Sequence, residues 1–451
     1  GREDLDNTGD GMLSVFQEGM ATAYTYNYWG LPVRNSMSTP GSIEDIIYEP
    51  LSRTQSRKAI KTSNYNGSAN PLTISSRWIY KLSGWGYSGW KYIGDHFDLN
   101  PGEGFTMKGV DGVNKEIKLY GIENNPGGEQ RYDFRGIPNT GTIGLDIKTD
   151  EILLVGNPYP SALDLNLFLI ENINTSGIAY FWDSVENGNS HYLADYFGGY
   201  GAFSPVDPCT SGIYEKPVFR SYGSSENGVP GSTGNHYNRR YLPIGQGFMI
   251  KAITTSEIQF TNRQRIYKKE GENSDFKARV SDKGTRELIE LPKIRLEAVI
   301  NDHYKRSFTL AFWPTASSGI DLGMDAESFD LAPTDIGLFH KGSNFVIDVR
   351  PFSENEEIPL YLKVDDPQAK VRIKVSALEE LNLKDVFIFD SHFGLYYPVL
   401  KNSFQVVLQE GEYHDRYKIC FIDKSKIPPI EPPVLEELSI THLDIESRLE
   451  I

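Results

Sequence analysis

The sequence predicts an all-β fold made of tandem β-sandwich-like modules, with antiparallel strands and one or two short helices. Tyrosine and phenylalanine, which favour strands, number 26 and 23 among the 451 residues. The 42 glycines and 25 prolines supply turns between short runs in which apolar and polar residues alternate. Strands and helices do not alternate regularly, so antiparallel packing is favoured over a parallel sheet.

The strongest helix signal follows a proline-rich turn in the middle of the chain. Leu163, Leu167 and Ile170 recur at helical spacing, and Ser161 or Asp164 stands where an N-cap is needed. Periodicity of this kind is scarce elsewhere. The sequence therefore predicts a short helix here, within an otherwise β-rich chain.

A seven-residue motif occurs twice, which predicts a duplicated module. GEGFTMK at 102–108 is matched by GQGFMIK at 245–251, and each copy follows a proline. The upstream segments 28–32 and 154–158 are similar to each other and precede the motif in the same order. The separation far exceeds the roughly 20–50 residues of solenoid repeats, so each copy is large enough for its own core. Within each motif, the glycines predict a tight turn that lets the following phenylalanine enter that core.

Composition shifts along the chain predict the domain organisation. The stretch from Lys268 is highly charged, and residues 427–433 are rich in proline, which suits a stiff spacer. The predicted boundaries are 1–20 for a linker or the tail of a preceding domain, 21–150 and 151–267 for the two β copies, 268–290 for a charged linker, 291–425 for an antiparallel β-sandwich, 426–437 for a proline-rich spacer, and 438–451 for the start of a further β domain.

Charge and cysteine content exclude several classes of function. The net charge of −16 argues against a nucleic-acid groove or an anionic-membrane surface, both of which need clustered Lys and Arg. Cys209 and Cys420 lie in different predicted modules, so neither a disulfide framework nor a cysteine metal site is expected. No apolar run is long enough to span a bilayer. Because the chain begins at Gly1 without a methionine, we expect it to be part of a longer protein.

The N-terminal segment contains a weak calcium motif. Asp4, Asp6 and Asp10 follow the spacing that opens an EF-hand loop, and Gly11 comes next. However, Gln17 stands where a bidentate glutamate is expected, which removes two oxygen ligands. The alternative is a solvated linker, and we expect no other cofactor.

Three tryptophans are candidates for a glycan-binding surface. Trp85 and Trp90 lie in a Gly-rich tract, and Trp182 ends a strand-like run in the second copy. An aromatic ring offers a broad apolar face on which a sugar ring can stack, but tryptophans at strand ends are also commonly buried. Both interpretations stay open at this level.

Catalytic motifs are scarce, and the sequence predicts a protein that is not an enzyme. The eight histidines form neither an HExxH motif nor another close metal spacing. No GxSxG nucleophile elbow occurs, and the paired glycines lack the third glycine of a dinucleotide site. Glycoside hydrolysis remains the main alternative, because two carboxylates flanking one cleft are invisible in a sequence.

Several segments together resemble a known group of proteins. They lie at 26–33 and 101–105 in the first copy, at 154–164 (LVGNPYPSALD), 180–182, 196–200, 243–248 and 260–265 in the second, and at 307–312, 319–326, 358–360 and 411–417 in the third module. In this order they resemble modules of large secreted proteins of the Bacteroidetes that type IX secretion exports. The third module is similar to the β-sandwich that precedes a C-terminal sorting domain.

The resemblance implies a location, partners and a function. The protein would reach the cell surface after periplasmic transit, through the type IX translocon barrel and a sorting-domain shuttle protein. Residues 438–451 would begin the sorting domain, with Leu443, Ile445, Leu449 and Ile451 contacting the translocon. The expected function is non-enzymatic: adhesion, gliding motility or surface assembly, with other adhesins or glycans as further partners. The alternative is a secreted polysaccharide-binding module or an accessory region of a glycoside hydrolase.

Overall fold

The computed structural model describes residues 11–35, 41–42, 45–94, 98–185, 189–221, 233–269, 288–426, 441–443 and 448–450. Within these ranges the chain is all-β, as predicted, and its one α-helix is short. Three modules follow one another: the first module (residues 13–138), the second module (143–266) and the third module (293–420).

The first module is a set of short strands wrapped around one buried cluster of side chains. A long antiparallel pair, β1 with β16, runs along one side, and Leu13 pairs with Gly136 while Met20 pairs with Glu129. The predicted linker over 1–20 is therefore wrong from Leu13 onward, and residues 1–10 lie outside the described ranges. The strands are β1 Leu13–Met20, β2 Tyr26–Gly30, β3 Val33–Arg34, β4 Gly41–Ser42, β5 Ile47–Pro50, β6 Ser56–Lys58, β7 Ile60–Thr62, β8 Ser68–Ala69, β9 Leu72–Ser75, β10 Tyr80–Gly84, β11 Trp90–Tyr92, β12 Asp98–Leu99, β13 Gly104–Lys108, β14 Asn114–Leu119, β15 Ile122–Asn125 and β16 Glu129–Pro138.

The second module begins earlier than its predicted start at residue 151. Its first strand pairs along its whole length with the strand at 256–260, and Leu145 and Ile147 are buried in the second module's core. Its elements are β17 Ile143–Ile147, β18 Ile152–Gly156, β19 Ala162–Asp164, α1 Leu165–Glu171, β20 Ala179–Ser184, β21 Phe197–Ser204, β22 Ile213–Glu215, β23 Arg220–Ser221, β24 Tyr241–Leu242, β25 Gly247–Lys251, β26 Ser256–Phe260 and β27 Arg265–Ile266.

The predicted helix is present as α1, and Asp164 caps it. The Asp164 carboxylate accepts a hydrogen bond of 3.0 Å from the backbone N–H of Leu167, which satisfies a free donor of the first turn. The buried face carries Leu165, Phe168 and Leu169 rather than the predicted stripe through Leu167 and Ile170. The helix therefore begins one residue after its cap, and its orientation is set by packing onto the sheet.

The third module is a β-sandwich closed around a single apolar core. Along its central strand β28, Ile294, Leu296, Ala298 and Ile300 are buried in alternation, as the sequence pattern predicted. The pairing is mainly antiparallel, but β29 and β32 are parallel. The strands are β28 Lys293–Ile300, β29 Tyr304–Phe312, β30 Ala326–Glu327, β31 Asp335–His340, β32 Ser343–Arg350, β33 Glu357–Val364, β34 Ala369–Glu379, β35 Phe387–Asp390, β36 Leu395–Pro398, β37 Phe404–Leu408, β38 Gly411–Glu412 and β39 Tyr417–Cys420, followed in the tail by the pair β40 Thr441–Leu443 and β41 Arg448–Glu450.

The repeated motif forms the same structure in both copies. In the first module β2 pairs with β13, and Gly30 lies opposite Gly104. In the second module β18 pairs with β25, and Gly156 lies opposite Gly247. The phenylalanines that follow, Phe105 and Phe248, are fully buried, as predicted. The upstream similarity and the motif therefore belong to one duplicated strand pair.

The two strand pairs meet each other through reciprocal hydrogen bonds. The N–H of Gly30 donates to the carbonyl of Gly245 over 2.8 Å, and the N–H of Gly156 donates to the carbonyl of Gly102 over 3.0 Å. Gly102 and Gly245 have φ values of +92° and +67°, a region that other residues rarely adopt. The first glycine of each motif thus turns its carbonyl toward the other module, in a pseudo-two-fold arrangement.

The crossing leaves no room for side chains. A Cβ atom on Gly156 would lie 2.5 Å from the Cα of Gly30, and one on Gly30 would lie 2.7 Å from the Cα of Gly156. The second glycine of each motif is equally constrained: a Cβ on Gly104 would lie 2.8 Å from the Val155 carbonyl oxygen, and one on Gly247 would lie 2.8 Å from the Trp29 nitrogen. We call the contact of these four glycines the glycine crossing.

The modules are fused rather than merely consecutive. Strand β10 of the first module pairs with β18 of the second, so the β10–β11 hairpin extends the second module's sheet. One buried cluster combines Tyr28, Leu154 and Ile347, one from each module. The Glu215 carboxylate of β22 also accepts hydrogen bonds from Ser307 and other third-module groups. The described residues 204–221 thus pack against the third module.

The glycine crossing predicts that adding one methyl group to either strand destabilises the fold severely and to a similar extent. Gly156→Ala and Gly30→Ala should each lower the free energy of unfolding by about 3 kcal/mol or more, because the clash is with backbone that cannot rotate away. Urea denaturation monitored by circular dichroism measures the change. Gly128→Ala is the control, since a Cβ there meets nothing within 4 Å. Equal stability of Gly156→Ala and Gly128→Ala would contradict the packing described.

Candidate binding face

Several residues singled out in the sequence fall outside the described ranges. These are Asp4, Asp6 and Asp10 of the calcium motif and Ile445 and Ile451 of the tail. Elsewhere in the described ranges, no group of three His, Cys, Asp or Glu side chains is arranged to hold a metal ion. Among the described residues, no helix is long and apolar enough to cross a membrane.

The described part of the tail forms a short hairpin. Leu443 lies in β40 and Leu449 lies in β41, and these strands pair antiparallel with His442 opposite Leu449. The predicted β pattern is therefore present over the described residues 441–443 and 448–450. The two cysteines are separate free thiols, with Cys209 exposed and Cys420 buried.

The three candidate tryptophans do not form one platform. Trp90 packs edge-on against Tyr28 with ring centroids 6.1 Å apart, and Trp182 stacks on Tyr28 with ring centroids 6.4 Å apart. Trp182 also contacts Tyr200 at 5.1 Å. Trp90 and Trp182 therefore pack, partly buried, against the cluster shared by the three modules, which favours the buried interpretation of these two residues. Trp85 differs, because it lies in the β10–β11 turn and is 52% exposed.

Exposed aromatic rings are concentrated around Trp85. We call the β10–β11 segment, residues 80–92, the aromatic hairpin. Tyr87 and Tyr92 are 79% and 59% exposed, and Tyr92 makes an edge contact of 5.4 Å with the partly exposed ring of Tyr80. Because β11 is the edge strand of the shared sheet, these rings lie at the border of the molecule. The sequence singled out Trp85 but missed the tyrosines.

Next to the aromatic hairpin, Lys108 lies inside a cage of rings. Its ammonium Nζ is 3.7 Å from the ring centre of Trp78, 4.6 Å from that of Tyr26 and 5.0 Å from that of Tyr196. The residue is only 3% exposed, and burial lowers the pKa of Lys108 to about 7. The three ring faces favour the charged form and offset part of that desolvation.

His191 closes the cage by stacking and hydrogen bonding. Its ring lies parallel to that of Trp78, with centroids 4.8 Å apart and an angle of 7° between the planes. Its Nδ1 is 3.0 Å from Lys108 Nζ, and its Nε2 is 2.5 Å from the side-chain oxygen of Asn66. Since lysine can only donate, Nδ1 accepts and the Nε2 hydrogen points to Asn66. Asn66 in turn donates to Asp111.

The equivalent lysine of the second module has a different environment. Lys251 ends β25 as Lys108 ends β13, but it pairs with Glu327 of the third module at 3.2 Å. One duplicated position thus contacts the next module along the chain, while the other is enclosed by rings. The sequence reveals the repeat, but the cage was not predicted from it. The signals available for the cage were the repeated lysine and the alternation of Tyr24, Tyr26 and Tyr28.

The third module also contains buried charges, and these are internally neutralised. Arg306 pairs with Asp335 at 2.6 Å, and Asp348 accepts hydrogen bonds from Arg350 and His340. Burial and the neighbouring Asp348 raise the pKa of Asp325 to about 7, although it accepts two backbone hydrogen bonds. These groups bond to one another and to strand backbone, which is the pattern of a structural network.

The comparisons with known proteins identify a family but no activity. A family profile described as a domain of unknown function, DUF8693, matches residues 2–421. The chain belongs to this family. The match includes all three modules, which agrees with their shared core and sheet. No curated protein and no solved structure matches the chain significantly.

Proposed function

We propose that the chain is a non-enzymatic region of a cell-surface protein that type IX secretion exports and that acts in adhesion, gliding motility or surface assembly. The sequence resemblance supports the export route, and with it the translocon barrel and the sorting-domain shuttle as partners. The antiparallel strand pair formed by residues 441–443 and 448–450 is compatible with the start of a sorting domain. The protein would act outside the cell, after transit through the periplasm.

The observation that carries this proposal is the fusion of three β modules into one body. Domains within a chain usually contact one another through modest, polar interfaces and move relative to one another. Here one apolar cluster draws on all three modules, and a single sheet crosses from the first to the second. Such a body resists bending and transmits force along its length, which suits a surface adhesin or spacer better than an enzyme that must close on a substrate.

The export proposal predicts that the C-terminal region is needed to cross the outer membrane. In the native host protein, deletion of everything after Ile427 should leave the product in the periplasm, because the proposed sorting signal is removed. Surface protease accessibility and cell fractionation measure this. The same protein carrying Trp85→Ala is the control, and it should still reach the surface. Undiminished surface display of the truncated protein would contradict the proposal.

A second candidate, polysaccharide binding, is favoured by the exposed rings of the aromatic hairpin. Trp85 and Tyr87 lie in the β10–β11 turn and Tyr92 lies in the edge strand β11, and their broad apolar faces match the C–H faces of sugar rings. Neighbouring polar groups are available for hydroxyls, including the exposed Lys91. This binding would serve adhesion directly, so both candidates can apply to one protein.

The second candidate predicts that polysaccharide affinity depends on the exposed rings. Trp85→Ala and Tyr87→Ala should each weaken binding by about tenfold, the loss that corresponds to 1.4 kcal/mol. Affinity gel electrophoresis against a panel of neutral and acidic polysaccharides measures the shift. Tyr267→Ala is a matched control, because Tyr267 is 86% exposed but lies away from the hairpin in the sequence. If every polysaccharide retards the hairpin variants as strongly as the wild type, this surface is ruled out.

A further inference from the structure

The cage around Lys108 is completed by a segment of the other copy. We call residues 189–196, which precede β21, the strap. It contains a single turn of 3₁₀-helix at Leu193–Asp195, and it presents Tyr192 and Leu193 to solvent. The strap belongs to the second module, yet its two inward side chains, His191 and Tyr196, contact the first module.

Docking of the strap depends on a small set of polar and ring contacts. His191 contacts the rings of Trp78, Tyr24 and Tyr65 at 4.8, 4.7 and 5.5 Å. The Tyr196 hydroxyl donates to the backbone carbonyl of Tyr24. His191 thus makes both ring contacts and the hydrogen bond to Lys108, so its charge state bears directly on docking.

The charges around His191 favour its neutral form. From β13 it faces Lys108, whose Nζ is 3.0 Å away, and from the turns nearby it faces Asn66 and Asp111. The other groups packed around it are phenols or an arginine: Tyr24 and Tyr26 precede and begin β2, Tyr196 lies in the strap itself, and Arg77 covers the ring of Tyr65. Protonating Nδ1 would remove the acceptor that Lys108 uses and place two cations in contact.

We propose that the strap is an acid-released latch, in which protonation of His191 beside Lys108 frees residues 189–196 from the first module. Release uncovers the rings of Tyr24, Tyr26 and Trp78, and these extend the exposed surface of the neighbouring aromatic hairpin. The latch is an autoinhibitory contact between the two duplicated modules. It stands independently of the export route and of polysaccharide binding.

The direction of the pH dependence follows from the docked state. Burial, followed by the charge of Lys108, lowers the pKa of His191, while Asp111 opposes this. A histidine with a lowered pKa stabilises docking fully above its free value near 6.5, and this contribution is lost as the pH falls through 6.5 toward the docked value. Because burial also lowers the pKa of Lys108 to about 7, its protonation acts in the same direction.

Hydrogen–deuterium exchange of the intact chain tests the latch. Peptides covering residues 189–197 should lose on the order of tenfold of their protection factor between pH 7.5 and 5.5, because protonation of His191 weakens docking. Intrinsic exchange rates are corrected for pH. The His191→Gln variant, which removes the titrating imidazole, should lose clearly less protection than the wild type over the same interval. His303→Gln, at an exposed turn of the third module, is the matched control and should behave as the wild type.

If His191→Gln releases the strap at every pH, a second variant, Lys108→Met, still tests the proposal. Without the neighbouring ammonium, protonation of the docked His191 is opposed less strongly, and the loss of protection between pH 7.5 and 5.5 should be smaller than in the wild type. Wild-type protection that stays constant from pH 7.5 to 5.0 would overturn the proposal. So would a pH-dependent loss of equal size in a His191→Gln variant that docks at neutral pH, or an undiminished loss in Lys108→Met.

Discussion

The contact between Gly30 and Gly156 is the constraint on which the rest of the structure depends. Two strands from duplicated modules cross with their backbones touching, and each glycine donates its N–H to the other module. This approach brings the β10–β11 hairpin alongside β18, so that one sheet serves both modules. It also brings Tyr28 into contact with Trp90 and Trp182, where the three modules share a core. The fused body proposed to act at the cell surface follows from that single close approach.

Duplication preserved the backbone of the crossing while the side chains beside it diverged. Lys251 extends toward the third module and pairs with Glu327, which fixes the second module to its neighbour. Lys108, at the matching position, has rings in place of a carboxylate, and the strap of the second module covers it. In the second module the lysine joins two modules through an ion pair. In the first module the matching lysine lies in a contact whose strength depends on charge. The aromatic hairpin beside it is the most exposed group of rings in this region.

The sequence predicted local features well and contacts between copies poorly. The all-β class, the capped helix at Asp164 and the alternation along β28 follow from patterns within a few residues, and the structure has them. The repeat identified the glycines. The reason that positions 104 and 247 must be glycine is the close approach of backbone from the other module to Gly104 and Gly247, and no local sequence pattern reveals that contact. Trp90 and Trp182 are partly buried for the same reason: both pack against Tyr28, which is distant from Trp182 in the sequence.

Native-state hydrogen exchange at Gly30 and Gly156 tests the glycine crossing most directly. If the crossing joins the modules as one unit, both amides exchange only through global unfolding, with equal free energies and equal dependence on denaturant. The amides of Gly112 and Gly128, which lie in turns of the first module, should exchange by local opening and serve as the internal reference. Exchange of Gly30 or Gly156 at a much lower free energy than global unfolding, or at clearly different free energies, would show that the modules separate and would contradict the account.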